Sequence, residues 1–166
     1  RRVLFRSCSI LLERERLDIY ADIKSDCAPL NKMIGDVLSK TKDIHVMRDP
    51  TRGGVAATLN EIAAQSKVGI KLYEDSIPVN HQVRGVCELL GMDPLYMANE
   101  GKMLIIAPEA SVNNIMGVLR NTEYGANSCI IGEVTDEHIN RVVMKTVAGG
   151  NRIVDMPVGD QLPRIC

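Results

Sequence analysis

The stretch IHVMRDPTRGGVAATLNEIAAQS, residues 44–66, changes its periodicity halfway through. IHVM at 44–47 is a short apolar run of the kind that forms a strand, and RDP after it signals a tight turn. From Thr51 onward Val55, Leu59, Ile62 and Ala63 recur at helical spacing, so the segment predicts strand, turn and helix in close succession. The alternation continues on both sides. Residues 28–40 set Leu30, Met33, Ile34, Val37 and Leu38 on one side of a helix, and GIKLYEDSIPV at 69–79 reads as extended. NHQVRGVCELLG at 80–91 predicts a helix that stops at Gly91, and KMLIIAP at 102–108 gives the strongest central-strand signal. ASVNNIMGVLRN at 110–121 is a further helix; SCIIGEV, RVVMKTV and NRIVDMP, between 128 and 157, are strands.

Helices that interleave with strands before strands cluster near the end predict an α+β fold: a mixed sheet with helices packed on one face. The expected domain covers residues 17–155. IHVM, KMLIIAP, SCIIG and RVVMKTV are expected in its main sheet, with the helices at 51–65 and 80–90 on one face. RRVLFRSCSILLERER, residues 1–16, is an atypical lead-in, rich in arginine and without turn signals. It reads as the continuation or remnant of something upstream. Residues 156–166 are expected to be a poorly tied tail, because Pro157, Gly159 and Pro163 interrupt backbone pairing.

Composition narrows the function classes. The chain has 166 residues, 45% of them hydrophobic, enough for one full core. A formal charge of -1 gives no polybasic drive toward nucleic acid or anionic lipid. One Phe and no Trp leave an aliphatic, methionine-rich core and no platform for stacking bases. No run reaches the roughly 18–20 apolar residues of a membrane span, and no signal peptide is evident, so the expectation is a cytoplasmic protein. Five cysteines at irregular spacing and three scattered histidines suggest neither a disulfide scaffold nor a metal site. Most of the thiols are expected to be small buried hydrophobes.

Three stretches carry candidate chemistry. In RDPTRGG, Asp49 precedes a proline suited to a first helical position, Thr51 is placed to cap the helix, and Arg52 is a bidentate donor for phosphate or carboxylate. Gly53 and Gly54 each cost about 1 kcal/mol of helix propensity, which suggests close backbone approach by something else. An anion site at the helix terminus and a well-capped, tightly packed helix both fit this string. In YMANEGKMLII, Asn99, Glu100 and Gly101 precede the strand; Glu100 is either a general base or a turn former. Cys166 follows PVGDQLPRI; it is either a nucleophile needing activation in a pocket, since the neighbouring α-carboxylate disfavours its thiolate, or a residue without a role.

Together DPTRGGVAATLNEIA, the ANEGK turn and PRIC resemble the carboxy-terminal domain of the hydrogenase expression/formation protein HypE family. These are the carbamoyl dehydratases of nickel-iron hydrogenase maturation, in the superfamily of aminoimidazole ribonucleotide synthetase and selenophosphate synthetase. The resemblance spans residues 17–166. It implies that Cys166 accepts a carbamoyl group from the carbamoyltransferase HypF, and that ATP-dependent dehydration converts it to a thiocyanate. The cyano group then passes to iron on the HypC–HypD scaffold. Glu100 matches the glutamate acting on the carboxamide nitrogen, while Asp49, Thr51, Arg52, Gly53, Gly54 and, in the turn, Asn99 match the nucleotide-facing side of the cleft. ATP and Mg2+ are implied to bind mainly to an amino-terminal domain that this sequence lacks, and that domain also builds much of a homodimer. The fragment alone is therefore expected to be inactive. Two other readings are a phosphotransfer enzyme like selenophosphate synthetase and a noncatalytic maturation adaptor.

Overall fold

A computed structural model describes residues 26–157. The expected lead-in at 1–16 and the tail from 158 onward, with Cys166, lie outside the described residues. Within them four helices appear: α1 Asn31–Lys40, α2 Gly54–Ser66, α3 His81–Leu89 and α4 Glu109–Arg120. The six strands are β1 Val46–Arg48, β2 Gly69–Tyr73, β3 Leu104–Ile106, β4 Gly132–Thr135, β5 Val142–Lys145 and β6 Asn151–Val154. Four of the strands form a mixed sheet in the order β4-β2-β5-β6, with β2 and β5 parallel and the other pairs antiparallel. The fold is the expected mixed α+β type. Val142, Val143 and Met144 of central β5 are all buried, as a strand flanked on both sides requires.

Two strand placements differ from expectation. IHVM and KMLIIAP do not enter the main sheet; β1 and β3 pair only with each other, as an antiparallel ribbon. KMLIIAP is apolar on both sides for a different reason from a central strand. Alternate residues of a strand face opposite ways. Val46, Leu104 and Ile106 therefore pack on a cluster built from α2 and the sheet, including Leu59, Ile62, Leu72 and Met144. Met47 and Ile105 pack on a second cluster, Met33 and Val37 of α1 with Ile115 and Leu119 of α4. The ribbon thus lies between two apolar clusters where the composition suggested one. The other correction is SCIIG: pairing with β2 begins at Gly132, while Cys129 and Ile130 are exposed.

The helices follow their apolar spacing. In α1 and in α4 the buried residues stand four apart, which stacks them on one face. Each such side chain, fully buried, stabilises by about 1.5–3 kcal/mol. Helix α2 is buried on most sides, through Ala56, Ala57, Leu59, Ile62 and Ala63. It packs on β2 and β5 and on the short 3-10 turn Pro94–Tyr96, and α3 packs on that same turn. Of the described cysteines Cys87 is buried, as expected of most of the thiols, whereas Cys27 and Cys129 are exposed; Cys8 and Cys166 lie outside the described residues.

Candidate functional site

The loop between β1 and α2 and the turn before β3 are joined directly. The Asn99 backbone N–H donates to the Pro50 carbonyl at 3.0 Å. Underneath, α2 begins at Gly54 with Gly53 as its cap, and both glycines are left-handed at φ 64° and 72°. Neither Pro50 nor Thr51 therefore takes its expected helical post: the helix starts three residues after Thr51, and no side chain caps it. Thr51 instead accepts the Gly54 N–H through its carbonyl at 3.3 Å. A Cβ on Gly54 would lie 2.4 Å from the Met97 carbonyl oxygen and 2.5 Å from that of Leu95. The close approach that the double glycine suggested is thus made by the chain's own 95–97 backbone.

Gly53 marks where the end of the described chain returns. A Cβ there would meet Ala57 Cβ at 2.5 Å and Pro157 Cγ at 3.2 Å. The path back is fixed by the Asn60 side chain donating to the Val154 carbonyl at 2.8 Å and by the Tyr96 hydroxyl donating to the Asp155 carbonyl at 2.9 Å. Arg152 adds an ion pair to Asp93 at 2.5 Å. Asp155 is held by the Tyr96 hydrogen bond, and Pro157, inside the tail expected to be loosely attached from residue 156 onward, lies against Gly53. Beyond Pro157 nine residues lead to Cys166.

The charges of the loop divide into engaged and available. Arg48 pairs with Glu61 on α2 at 2.8 Å. Asp49 and Arg52 are exposed, and among the described residues Arg52 makes no ion pair. An unpaired guanidinium beside a helix start that no side chain caps suits an anion such as a nucleotide phosphate. Among the described residues no group of three or more His, Cys, Asp or Glu side chains gathers as a metal site.

The turn carrying Glu100 stands on a buried polar layer that the sequence reading did not single out. Asn99, 1% exposed, donates its side-chain amide to the Met97 carbonyl at 2.7 Å, and its side-chain oxygen accepts from the Lys102 ammonium. Burial pushes the Lys102 pKa down, against the opposing charge of Asp26. Asp26, 4% exposed, accepts the Glu100 backbone N–H on Oδ2 at 3.1 Å, while its Oδ1 is buried without a hydrogen-bond partner among the described residues. Such an orphaned acceptor costs on the order of 1–3 kcal/mol. Gly101 is required because a Cβ there would sit 1.7 Å from the Asp26 carbonyl oxygen. Lys102 was visible in the ANEGK motif; Asp26 lies 74 residues away from its partner, and nothing local marks it. The Glu100 side chain itself is exposed at the surface of this layer.

The structure thus brings Asp49, Thr51, Arg52, Gly53, Gly54, Asn99 and Glu100 into two adjoining segments, while Cys166 lies outside the described residues. The family model for AIR synthase related protein, C-terminal domain, matches residues 6–145. Over 158 residues the chain is 45% identical to the carbamoyl dehydratase HypE of Rhodobacter capsulatus, an alignment covering 95% of this chain and 46% of that protein. It superposes on hydrogenase maturation protein HypE in complex with ATP with a TM-score of 0.88 at 42% identity, covering 98% of this chain and 50% of that one. On a HypE–HypF complex the TM-score is 0.85 at 39% identity, covering 94% and 51%. The chain spans about half the length of the relatives it matches.

Proposed function

Since the chain belongs to the AIR synthase related family by its C-terminal domain and is most specifically like HypE proteins, we propose that it is the carboxy-terminal half of a carbamoyl dehydratase serving nickel-iron hydrogenase maturation. One observation carries the reading. The loop with Arg52, the turn with Glu100 and the point from which the last nine residues depart are a single packed unit, joined at Asn99–Pro50 and at Gly53–Pro157. Nine extended residues span at most about 30–32 Å. A Cys166 thiol tethered at Pro157 therefore has the loop and the turn within its reach, and has length to spare for a partner protein.

In this reading Cys166 carries the carboxamide on its sulfur as a thiocarbamate, donated by HypF. ATP, when bound, supplies the phosphoryl group that turns the carboxamide oxygen into a leaving group. The carboxamide nitrogen must lose two protons as the C–O bond breaks and a C≡N bond forms; the oxygen leaves on the phosphate, which carries off one proton, and the exposed Glu100 carboxylate is the base that takes the other. Arg52 and the start of α2 orient the phosphates, and Gly53 and Gly54 hold that helix start against the 95–97 backbone. Asp49 and Thr51 line the loop, and Asn99 fixes the turn to it. Mg2+ and the remaining nucleotide contacts belong to an amino-terminal domain, which also forms the homodimer. The product thiocyanate then meets the HypC–HypD scaffold in the cytoplasm.

Intact-mass measurement of the complete protein tests this. Incubated with HypF, carbamoyl phosphate and ATP, it should gain about 43 Da and then lose about 18 Da, from the atoms exchanged in carbamoylation and dehydration. Cys166→Ala should show neither change, and Glu100→Gln should stop at the first. Cyano-protein formed by Cys166→Ala refutes the proposal.

A further inference from the structure

We propose that Asp26 is a positioning residue for Glu100, holding the peptide of the proton-accepting glutamate so that its carboxylate keeps one orientation. The inference deepens the proposed function and rests on it for the role of Glu100, but the contact itself is independent of that role. Glu100 is exposed, and exposed carboxylates ordinarily sample several orientations; its backbone is where order can be imposed. Three contacts impose it. Asp26 Oδ2 accepts the Glu100 N–H at 3.1 Å. The Asp26 carbonyl lies so close over Gly101 that no side chain fits between them. On the other side Asn99 is bound to the Pro50 carbonyl through its N–H, and to Lys102 and Met97 through its side chain.

A plain structural role does not account for Asp26. Its second oxygen, Oδ1, is buried and has no hydrogen-bond partner among the described residues, a cost that a residue without that oxygen would avoid. The contact that is satisfied is the peptide of Glu100. A catalytic group displaced by about 1 Å loses roughly a hundredfold in rate, which sets the scale of what this contact protects.

Two measurements decide the matter with Asp26→Ala and Asp26→Asn. In this chain, amide exchange followed by NMR should show the Glu100 N–H protected, exchanging at least about tenfold faster in Asp26→Ala and protected again in Asp26→Asn, whose side-chain oxygen still accepts. In the complete protein, single-turnover water loss from the carbamoylated form should slow roughly ten- to a hundredfold in Asp26→Ala. Carbamoylation by HypF should be unchanged, and the Asn variant should return to within about threefold of the original rate. If the Ala variant does not fold, Asp26→Leu, which lacks an acceptor but fills the space, replaces it. Unchanged exchange in the Ala or Leu variant overturns the inference. So does a failure of Asn to restore either readout, since Asp26 would then act through its charge. If the unsubstituted complete protein performs no dehydration while the exchange pattern holds, the proposed function fails and the contact stands.

Discussion

Replacing Gly54 by alanine tests whether the double glycine serves the protein's own packing. Its φ of 64° is left-handed, which costs a residue with a Cβ about 1–2 kcal/mol. The new methyl carbon would also lie 2.4 Å from the Met97 oxygen, 2.5 Å from the Leu95 oxygen and 2.9 Å from the Tyr96 carbonyl carbon. These are backbone atoms with no rotamer to escape into, so the 95–97 turn must shift, at a cost of about 1–3 kcal/mol for overpacking. Alanine returns about 1 kcal/mol of helix propensity, leaving a net loss of about 1–4 kcal/mol. For a chain of this length that lowers the thermal midpoint by about 2–16 °C. Urea unfolding of the two proteins at one pH gives the free-energy difference directly. Gly117→Ala is the internal comparison: it lies inside α4, nothing stands within 4 Å of its would-be Cβ, and its φ is not positive. It should stabilise by about 0.5–1 kcal/mol. A Gly54→Ala protein within about 0.5 kcal/mol of the original would refute the packing account and reopen an external partner for these glycines.

Two further outcomes are expected. Arg52→Ala should leave the unfolding midpoint of this chain unchanged, because the side chain is exposed and makes no ion pair among the described residues, yet weaken ATP turnover in the complete protein. Equal turnover, or a loss explained wholly by unfolding, contradicts the anion role. Lys102, whose folded pKa lies below its ordinary 10.5 because of burial, binds its proton more weakly folded than unfolded. Its penalty on stability is full below the folded pKa and is relieved as pH rises from there toward 10.5. The stability of the original protein relative to Lys102→Met should therefore rise across that window; a flat or falling difference shows that the ammonium is not desolvated.

What the sequence determined by itself is local. Spacing along the chain located all four described helices, because burial of one stripe every three or four residues leaves its mark within a single element. The motifs DPTRGG and ANEG pointed to two segments that do adjoin, since glycine and turn chemistry report on the backbone near them. Tertiary structure decided what depended on partners far away in the chain. KMLIIAP has the same apolar run whether both of its faces are buried by a sheet or by two separate clusters, so composition could not tell a central strand from half of a ribbon. Thr51 has a capping side chain, but the left-handed Gly53 took the cap once the 95–97 backbone had claimed the space beside Gly54. Asp26 shows the limit most clearly. An aspartate in a coil segment has no distinguishing pattern, and only a fold that lays it over Gly101 gives its carboxylate the Glu100 peptide to hold. Periodicity records which face of an element is buried; the identity of the atoms that bury it is fixed only when distant segments meet.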